Sequence, residues 1–539
     1  MRKLLLASVA TLSGTLGLAT VASAQLQTQY PYTAPAGSTP VAGPLGAPNG
    51  ANVATVTPQW STLPPLSSGS LTVRLGGRLT TYFGAFVDSG RSPGLIAGSE
   101  NFPNGFTYAA AGYALKDGKL VATGNTKGYY QSTGKSAPYA MAEYARLYPS
   151  FDGVAANGLK YGAFLEVRQE NYAAPGSSGN NAILYETSQR GSLYFKRETA
   201  YIGTDSAGFL RLGATDQPTS LFVTGTFENF DEGGWNFQSS PGQFSYNTVP
   251  SWPFPDTGNL YTANKLVYVS PKFANLVDFG VSFAPSTGNV GAVGGACPYS
   301  VSGTIAAGTG PTGLVGAGCD ALSSSSVSGD LKRPRNVIDA VARLRTTVGP
   351  AGVAVTLGGM YSGAVTYNGN VSPYGSSGVA RTDGLAVLDT GLAVTYGGLT
   401  VGGHLDYGTF NNGYTTSPKG GVDSLAWIVG ASYAFGSVIV GASYFDFQSP
   451  GNWSSTALIS PTSNASYAGR TQSQDGVAAG GTVALAPGAW AFVSYLYGQR
   501  HQAGVDLLAN AAPNAVTGSF FTHNNVQAQA LLVGTTFKW

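Results

Sequence analysis

The sequence predicts an all-β fold, a transmembrane antiparallel β-barrel of about sixteen strands. Three observations point to it. Apolar and polar residues alternate along many segments, and these segments come in pairs joined by short turns. Charged residues make up only 10% of the 539-residue chain, against roughly 25% in ordinary soluble domains. No stretch after the N-terminus is apolar over the roughly 20 residues that a membrane helix needs.

The clearest hairpin lies within residues 141–170. In its second half, the residues at odd positions are mostly apolar and several residues at even positions are charged. This alternation is typical of a strand with one apolar face and one face in contact with water. The connection from Pro149 to Gly158 is rich in turn formers and predicts a compact turn. A soluble barrel would bury the apolar face, but its interior limits the number of strands. A membrane barrel turns the apolar face towards lipid.

The N-terminus has the features of a secretory signal peptide over residues 1–24. Arg2 and Lys3 precede an apolar stretch that ends in the small-residue site Ala22-Ser23-Ala24. Residues 25–70 are rich in Pro, Ala and Gly and predict a disordered periplasmic leader. Removing Arg2 and Lys3 from the 28 basic residues leaves 26, equal to the 26 acidic ones. A neutral mature chain gives no reason to expect a nucleic-acid partner.

The barrel is predicted over residues 71–539, beginning with a strand over 71–87. A small separate hairpin is expected within 106–124. The seven main hairpins cover residues 141–170, 193–215, 263–285, 335–362, 385–410, 422–447 and 476–501, and a last strand covers 525–539. These elements give about sixteen strands, an even number that lets the first strand pair with the last. Short turns are expected on the periplasmic side and long loops on the extracellular side, around an aqueous channel.

Several stretches carry a family resemblance: LTVRLGGRLTTYFGAF, RLYPSFDGVAANGLKYGAFLEVR, TAYIGTDSAGFLRLGATD and a terminal aromatic residue. From residue 71 to its end, the chain resembles the Gram-negative general-diffusion porins, the alphaproteobacterial type in particular. The resemblance implies a homotrimer in the bacterial outer membrane, in contact with lipid and lipopolysaccharide. It also implies that Phe537 and Trp539 form the signal read by the barrel-insertion machinery. The third loop, about 216–262, is expected to fold into the lumen, although it lacks the family's Pro-Glu-Phe-Gly-Gly pattern.

The implied function is a water-filled channel for passive diffusion of small hydrophilic solutes and ions, without enzymatic activity or cofactor. The third loop carries Glu228, Asp231 and Glu232, which would face lumen arginines and set up a transverse field if the loop folds inward. In the alternative interpretation these acids lie on a solvated outer loop. The candidate basic wall consists of arginines on the lumen parity of their strands: Arg74, Arg78, Arg168, Arg211 and Arg343. Arg146 and Arg197 lie on strands that alternate less cleanly.

Cysteine and histidine residues give no sign of a metal site. Cys297 and Cys319 share a Gly/Ser-rich stretch, and export would allow a disulfide that closes a loop of about 20 residues, worth roughly 3 kcal/mol. No nearby histidine completes a ligand set with them. His404 lies two residues before Asp406 on the lumen parity and is interpreted as a pore-lining residue. No catalytic motif surrounds any of the three histidines.

Four other functions are compatible with a barrel. A substrate-specific channel for sugars or organic acids would show saturable block of its current. An outer-membrane enzyme would depend on His404. An adhesin or structural barrel, sealed by the third loop, would not conduct. A gated transporter is disfavoured because no globular plug domain precedes the barrel.

Overall fold

The structure is a computed structural model, and a defined part of the chain is described. The described residues are 71–89, 94–97, 113–116, 119–122, 128–131, 139–170, 194–226, 235, 250, 252–255, 263–286, 334–363, 365–367, 380–418, 421–450, 472–502 and 525–539. Within these ranges, no helix combines the length and the apolar character that crossing a membrane would require.

Sixteen antiparallel strands close into one barrel. Each strand pairs with its neighbours in the sequence, and the last pairs with the first, as predicted. The strands are β1 (Leu71–Asp88), β2 (Tyr139–Val154), β3 (Lys160–Glu170), β4 (Tyr194–Thr204), β5 (Gly208–Ala214), β6 (Asn264–Val269), β7 (Val277–Ser286), β8 (Arg335–Val348), β9 (Ala351–Tyr361), β10 (Ala386–Tyr396), β11 (Leu399–Thr409), β12 (Ser424–Phe435), β13 (Val438–Ser449), β14 (Gln472–Ala486), β15 (Ala489–Gln502) and β16 (Asn525–Lys538).

Short turns join the two strands of each predicted hairpin. Gly397 and Gly398 connect β10 to β11, and Gly397 has φ of 57°, a conformation in which glycine carries no Cβ penalty. The first hairpin differs from the prediction. Its turn occupies only residues 155–159, so Pro149 and Asp152 lie within β2. The strand is longer because β1 pairs with it as far as Gly153.

The two faces of the barrel are inverted relative to a soluble barrel. On β1, Leu71, Val73 and Leu75 point outward and are 61%, 76% and 65% exposed. On the same strand, Arg78 and Thr80 point inward and are buried. The same alternation continues around the ring, so the exterior is apolar and much of the interior is polar, as the sequence pattern predicted.

Several short elements are not strands of the barrel sheet. Tyr113–Lys116 pairs with Lys119–Ala122, which confirms the small separate hairpin. Gly94–Ala97 pairs with Gly128–Gln131. A small sheet contains Val365–Tyr367, Ala380–Asp383 and Ser417–Pro418. The helix α1 (Pro218–Phe222) follows β5 and is buried along its whole length.

The C-terminal residue closes the seam between β1 and β16. The Gly77 amide donates to the Trp539 carbonyl at 3.0 Å, and the Trp539 amide donates to the Gly77 carbonyl at 3.1 Å. The Trp539 ring lies over Gly77, where any Cβ would overlap it. Glycine at this position therefore leaves space for the terminal aromatic ring.

A bulkier residue at position 77 should weaken this seam. Gly77→Val is expected to displace the Trp539 ring and lower the stability of the folded barrel by about 1–2 kcal/mol. The midpoint of heat-induced unfolding, followed by electrophoretic migration of the folded form, measures the effect. Gly363→Ala is the control, because a Cβ at residue 363 meets no atom within 4 Å. Equal midpoints for the two variants would show that the ring moves aside without cost.

Candidate functional site

A cluster of charges lines the inner face of β2, β3 and β4. Glu166 is fully buried at its centre, and the Arg168 Nε donates to it at 2.6 Å. The Arg197 guanidinium also donates to Glu166 and holds Asp216 with its other nitrogens at 2.7–3.0 Å. Arg146 Nη1 lies 4.0 Å from Glu166. The Glu166 carboxylate therefore compensates Arg146, Arg168 and Arg197, and Asp216 also compensates Arg197.

A second polar group lies nearer the short turns. Arg74 Nη2 lies 2.8 Å from Asp152 Oδ2, and the Tyr201 hydroxyl donates to the same carboxylate. Arg211 occupies the position directly opposite Tyr201 on β5 and is half-buried. Arg78 is 1% exposed, and its Nε donates to Thr80 at 3.2 Å.

Arg343 belongs to another part of the wall. It is opposite Asp278 across β7 and β8, and its guanidinium donates to that carboxylate through Nε at 2.9 Å and through Nη2. Its guanidinium carbon lies 4.3 Å from the centre of the Phe222 ring in α1, a cation–π distance. The basic wall is thus also a contact surface for the chain that follows β5.

All five predicted arginines lie on the inner face, and three of them pair with carboxylates of the wall itself. The partners Asp152, Glu166 and Asp278 were not among the predicted site residues. Their position on the lumen parity is visible in the sequence, but their pairing depends on register between strands. Phe537 and Trp539 lie at the C-terminal end of the described barrel, whereas Glu228, Asp231, Glu232, Cys297 and Cys319 lie outside the described residues.

The chain after β5 lies inside the barrel where it is described. We call residues 215–226, 235 and 252–255 the inward segment. The Thr219 amide and hydroxyl donate to Asp339 on β8 at 3.1 and 2.5 Å. Gly225 packs so closely on the carbonyl oxygens of Leu392 and Gly403 that no Cβ fits there. These contacts hold the first part of the inward segment against β8, β10 and β11.

Aromatic residues of the inward segment reach strands on the far side of the ring from β5. The Trp235 indole donates to the Val477 carbonyl of β14 at 3.1 Å. The Trp252 ring packs edge-on against Phe254 at 4.8 Å and against Phe445 of β13 at 5.6 Å. The segment for which an inward path was predicted therefore contacts the inner wall on both sides. Its role as a constriction stays a prediction.

A buried polar group lies where the inward segment meets β10 and β11. His404 Nε2 lies 3.1 Å from Asp389 Oδ2 and 3.6 Å from Asp406 Oδ1. His404 Nδ1 lies 2.9 Å from the Thr224 carbonyl, and the Tyr414 hydroxyl donates to Asp406 at 2.7 Å. The sequence placed His404 and Asp406 on one face of one strand, but Asp389 comes from the neighbouring strand.

The sequence matches no protein-family model and no curated protein. Solved structures with a similar strand arrangement include an anion-selective porin from Comamonas acidovorans, with 14% identity, a TM-score of 0.41, and coverage of 87% of this chain and 100% of that one. The outer-membrane expressed OmpT of Vibrio cholerae has 11% identity and a TM-score of 0.41, covering 88% and 99%. OmpF of Salmonella typhi in complex with daunomycin has 12% identity and a TM-score of 0.40, covering 87% and 97%.

Proposed function

We propose that this chain is an outer-membrane porin, a water-filled channel for passive diffusion of small hydrophilic solutes and ions. One observation carries the proposal: a closed sixteen-strand ring with an apolar exterior and a charged interior. Such a surface is stable in lipid, because a closed ring leaves no open strand edge and the apolar side chains face outward. A ring of this strand number is wide enough to enclose water.

The interior charges support transport of polar solutes. The arginines of β1 to β5 face inward along one side: Arg74, Arg78, Arg146, Arg168, Arg197 and Arg211. Buried carboxylates face inward on β8, β10 and β11, namely Asp339, Asp389 and Asp406. An interior lined by charged groups, several of them paired, favours water and small polar solutes over apolar ones.

The finer parts of the proposal rest on the sequence features and on the family resemblance. The chain is exported through its signal peptide and inserted into the bacterial outer membrane by the machinery that reads Phe537 and Trp539. It assembles as a homotrimer in contact with lipid and lipopolysaccharide. The acids Glu228, Asp231 and Glu232 narrow the pore opposite the arginines, and Cys297 pairs with Cys319. Neither an enzymatic activity nor a catalytic cofactor is part of the proposal.

Conductance in a planar bilayer tests the function. The purified, detergent-folded protein should give stable currents that open in steps of three, as expected for a trimer of pores. A salt gradient across the bilayer gives the sign of the selectivity through the reversal potential. If the barrel is shown to be folded and no current appears, the pore proposal is wrong, and a sealed adhesin becomes the better interpretation.

The same measurement separates a general pore from a substrate-specific channel. Glucose or an organic acid added to the chamber should change the current of a general pore only as much as it changes the conductivity of the bulk solution. Saturable block at low concentration would instead indicate a binding site in the lumen. Trp252 is 7% exposed and Phe254 is 0% exposed. Both rings are packed against the wall, so neither offers a surface on which a sugar could bind.

A further inference from the structure

Two carboxylates of like charge lie directly opposite each other inside the barrel. Asp389 on β10 and Asp406 on β11 are cross-strand partners, and neither side chain is exposed. Like charges directly opposite each other destabilise a sheet, and a buried charge is costly unless it is compensated. A proton or a positive charge placed between the two carboxylates would therefore stabilise the pair.

His404 is the residue placed to mediate this compensation. Its Nδ1 lies 2.9 Å from the Thr224 carbonyl, and a carbonyl oxygen can only accept a hydrogen bond. Nδ1 must therefore carry a proton, which leaves Nε2 as the nitrogen that faces both carboxylates. Nε2 can compensate them either as the second N–H of an imidazolium or as a lone pair bound to a metal ion.

An imidazolium leaves the group only partly satisfied. One N–H at Nε2 can donate to Asp389 Oδ2 at 3.1 Å, but Asp406 Oδ1, at 3.6 Å, is beyond hydrogen-bond distance. Among the described residues, neither Asp406 Oδ1 nor Asp389 Oδ1 has any hydrogen-bond partner. A buried carboxylate oxygen without a partner costs the desolvation free energy of a charged group, which is more than a neutral group costs.

We propose that Asp389, His404 and Asp406 bind a divalent first-row transition-metal ion, for which Zn²⁺ is the probe. One imidazole nitrogen and two carboxylates form a ligand set that such ions favour, and two carboxylates neutralise the charge of the ion. The donor atoms of the three residues all lie within 4.8 Å of one another. Tetrahedral bonds of 2.0–2.1 Å place ligand atoms about 3.3 Å apart, and the two distances from Nε2, 3.1 and 3.6 Å, lie on either side of that value.

The surroundings of the three residues support a metal centre. The Nδ1–H of His404 donates to a backbone carbonyl, and the Tyr414 hydroxyl donates to Asp406 Oδ2 at 2.7 Å. Hydrogen bonds of this kind fix the tautomer and orientation of metal ligands. The Phe254 ring packs edge-on against His404 at 5.5 Å and supports the orientation of the imidazole. Through Thr224, the ion connects the inward segment to β11.

Metal content of the full, detergent-folded chain tests the site. The protein is stripped with a chelator, reloaded with Zn²⁺, exchanged into metal-free buffer and analysed by elemental mass spectrometry and zinc X-ray absorption. We expect one Zn²⁺ per chain, with nitrogen and oxygen ligands near 2.0 Å, outer-shell scattering from one imidazole and no sulfur near 2.3 Å. Sulfur would place the ion on the cysteines and overturn the proposal, as would an absence of retained Zn²⁺.

Matched variants locate the ion. His404→Ala and Asp406→Asn should each weaken Zn²⁺ binding by more than about tenfold. His501 is an exposed histidine near the end of β15, and His501→Ala should bind Zn²⁺ as the unchanged protein does. Binding by His404→Ala equal to that of the unchanged chain would contradict the proposal. If a variant does not fold, the absorption spectrum of the unchanged protein decides by itself. Metal binding and conductance are measured separately. A result that contradicts the metal site therefore leaves the pore proposal intact, and a result that contradicts the pore proposal leaves the metal site intact.

Discussion

Replacing Glu166 by Gln is expected to destabilise the folded barrel by about 3 kcal/mol and to shift the ion selectivity towards anions. The glutamate is completely buried and accepts hydrogen bonds from Arg168 and Arg197, with Arg146 at 4.0 Å. A neutral amide leaves three guanidinium groups close together with less compensation. Removing one partner of a buried pair is costly because the remaining charge stays buried.

Two measurements follow this change. Denaturant-induced unfolding of the detergent-folded protein gives the loss of stability, and the reversal potential under a salt gradient gives the selectivity. Asp205→Asn is the control, because Asp205 pairs with Lys160 at 2.6 Å but is 72% exposed. An exposed pair of this kind contributes less than about 1 kcal/mol. If the two variants unfold at the same denaturant concentration, lumen water solvates the arginines and the cluster has no special role.

Replacing Gly225 by Ala is expected to release the inward segment from the barrel wall. Gly225 has φ of 79°, a conformation that costs other residues roughly 1–2 kcal/mol. A Cβ would also overlap the carbonyl oxygens of Gly403 and Leu392. These are backbone atoms of β11 and β10 that cannot rotate away, so the segment itself must move, and the total cost should be about 3 kcal/mol.

The current should report this movement directly. If the inward segment narrows the pore, its release replaces one stable conductance level by several levels and raises the current noise. Gly349→Ala is the matched control, since Gly349 has φ of 60° but a Cβ there meets nothing within 4 Å. It shares the backbone strain without the overlap, so its current should be unchanged. A single unchanged level in the Gly225 variant would show that this part of the segment does not shape the pore.

The contacts of the inward segment explain why this one position should matter. The Thr219 contacts to Asp339 hold the segment at β8, and the Thr224 carbonyl holds it at His404. Gly225 lies next to the second of these contacts. A displacement there is therefore expected to disturb the polar group of Asp389, His404 and Asp406 as well.

The strands and turns could be predicted because they are local properties of the chain. Alternation with period two follows from the pleat of each strand, so the outward positions of Leu71, Val73 and Leu75 can be read without any neighbour. Glycine and proline predict turns within residues 349–352 and at residues 397–398, and the structure confines the first of them to 349–350. An even number of strands with short turns on one side then predicts closure of the ring, which β1 and β16 confirm.

Only the tertiary structure decided which polar groups meet. Glu166 receives Arg146 and Arg197 from flanking strands, and Asp389 is placed opposite Asp406, because the register of each pair fixes them. Asp152 lies within β2 because β1 pairs with β2 as far as Gly153. The turn-forming residues around Asp152 do not indicate this pairing. The inward segment contacts strands far away in sequence that become neighbours only when the ring closes. Alternation is set within one strand, whereas register and closure are set between strands, so the sequence alone determined the barrel and the tertiary structure decided its charged interior.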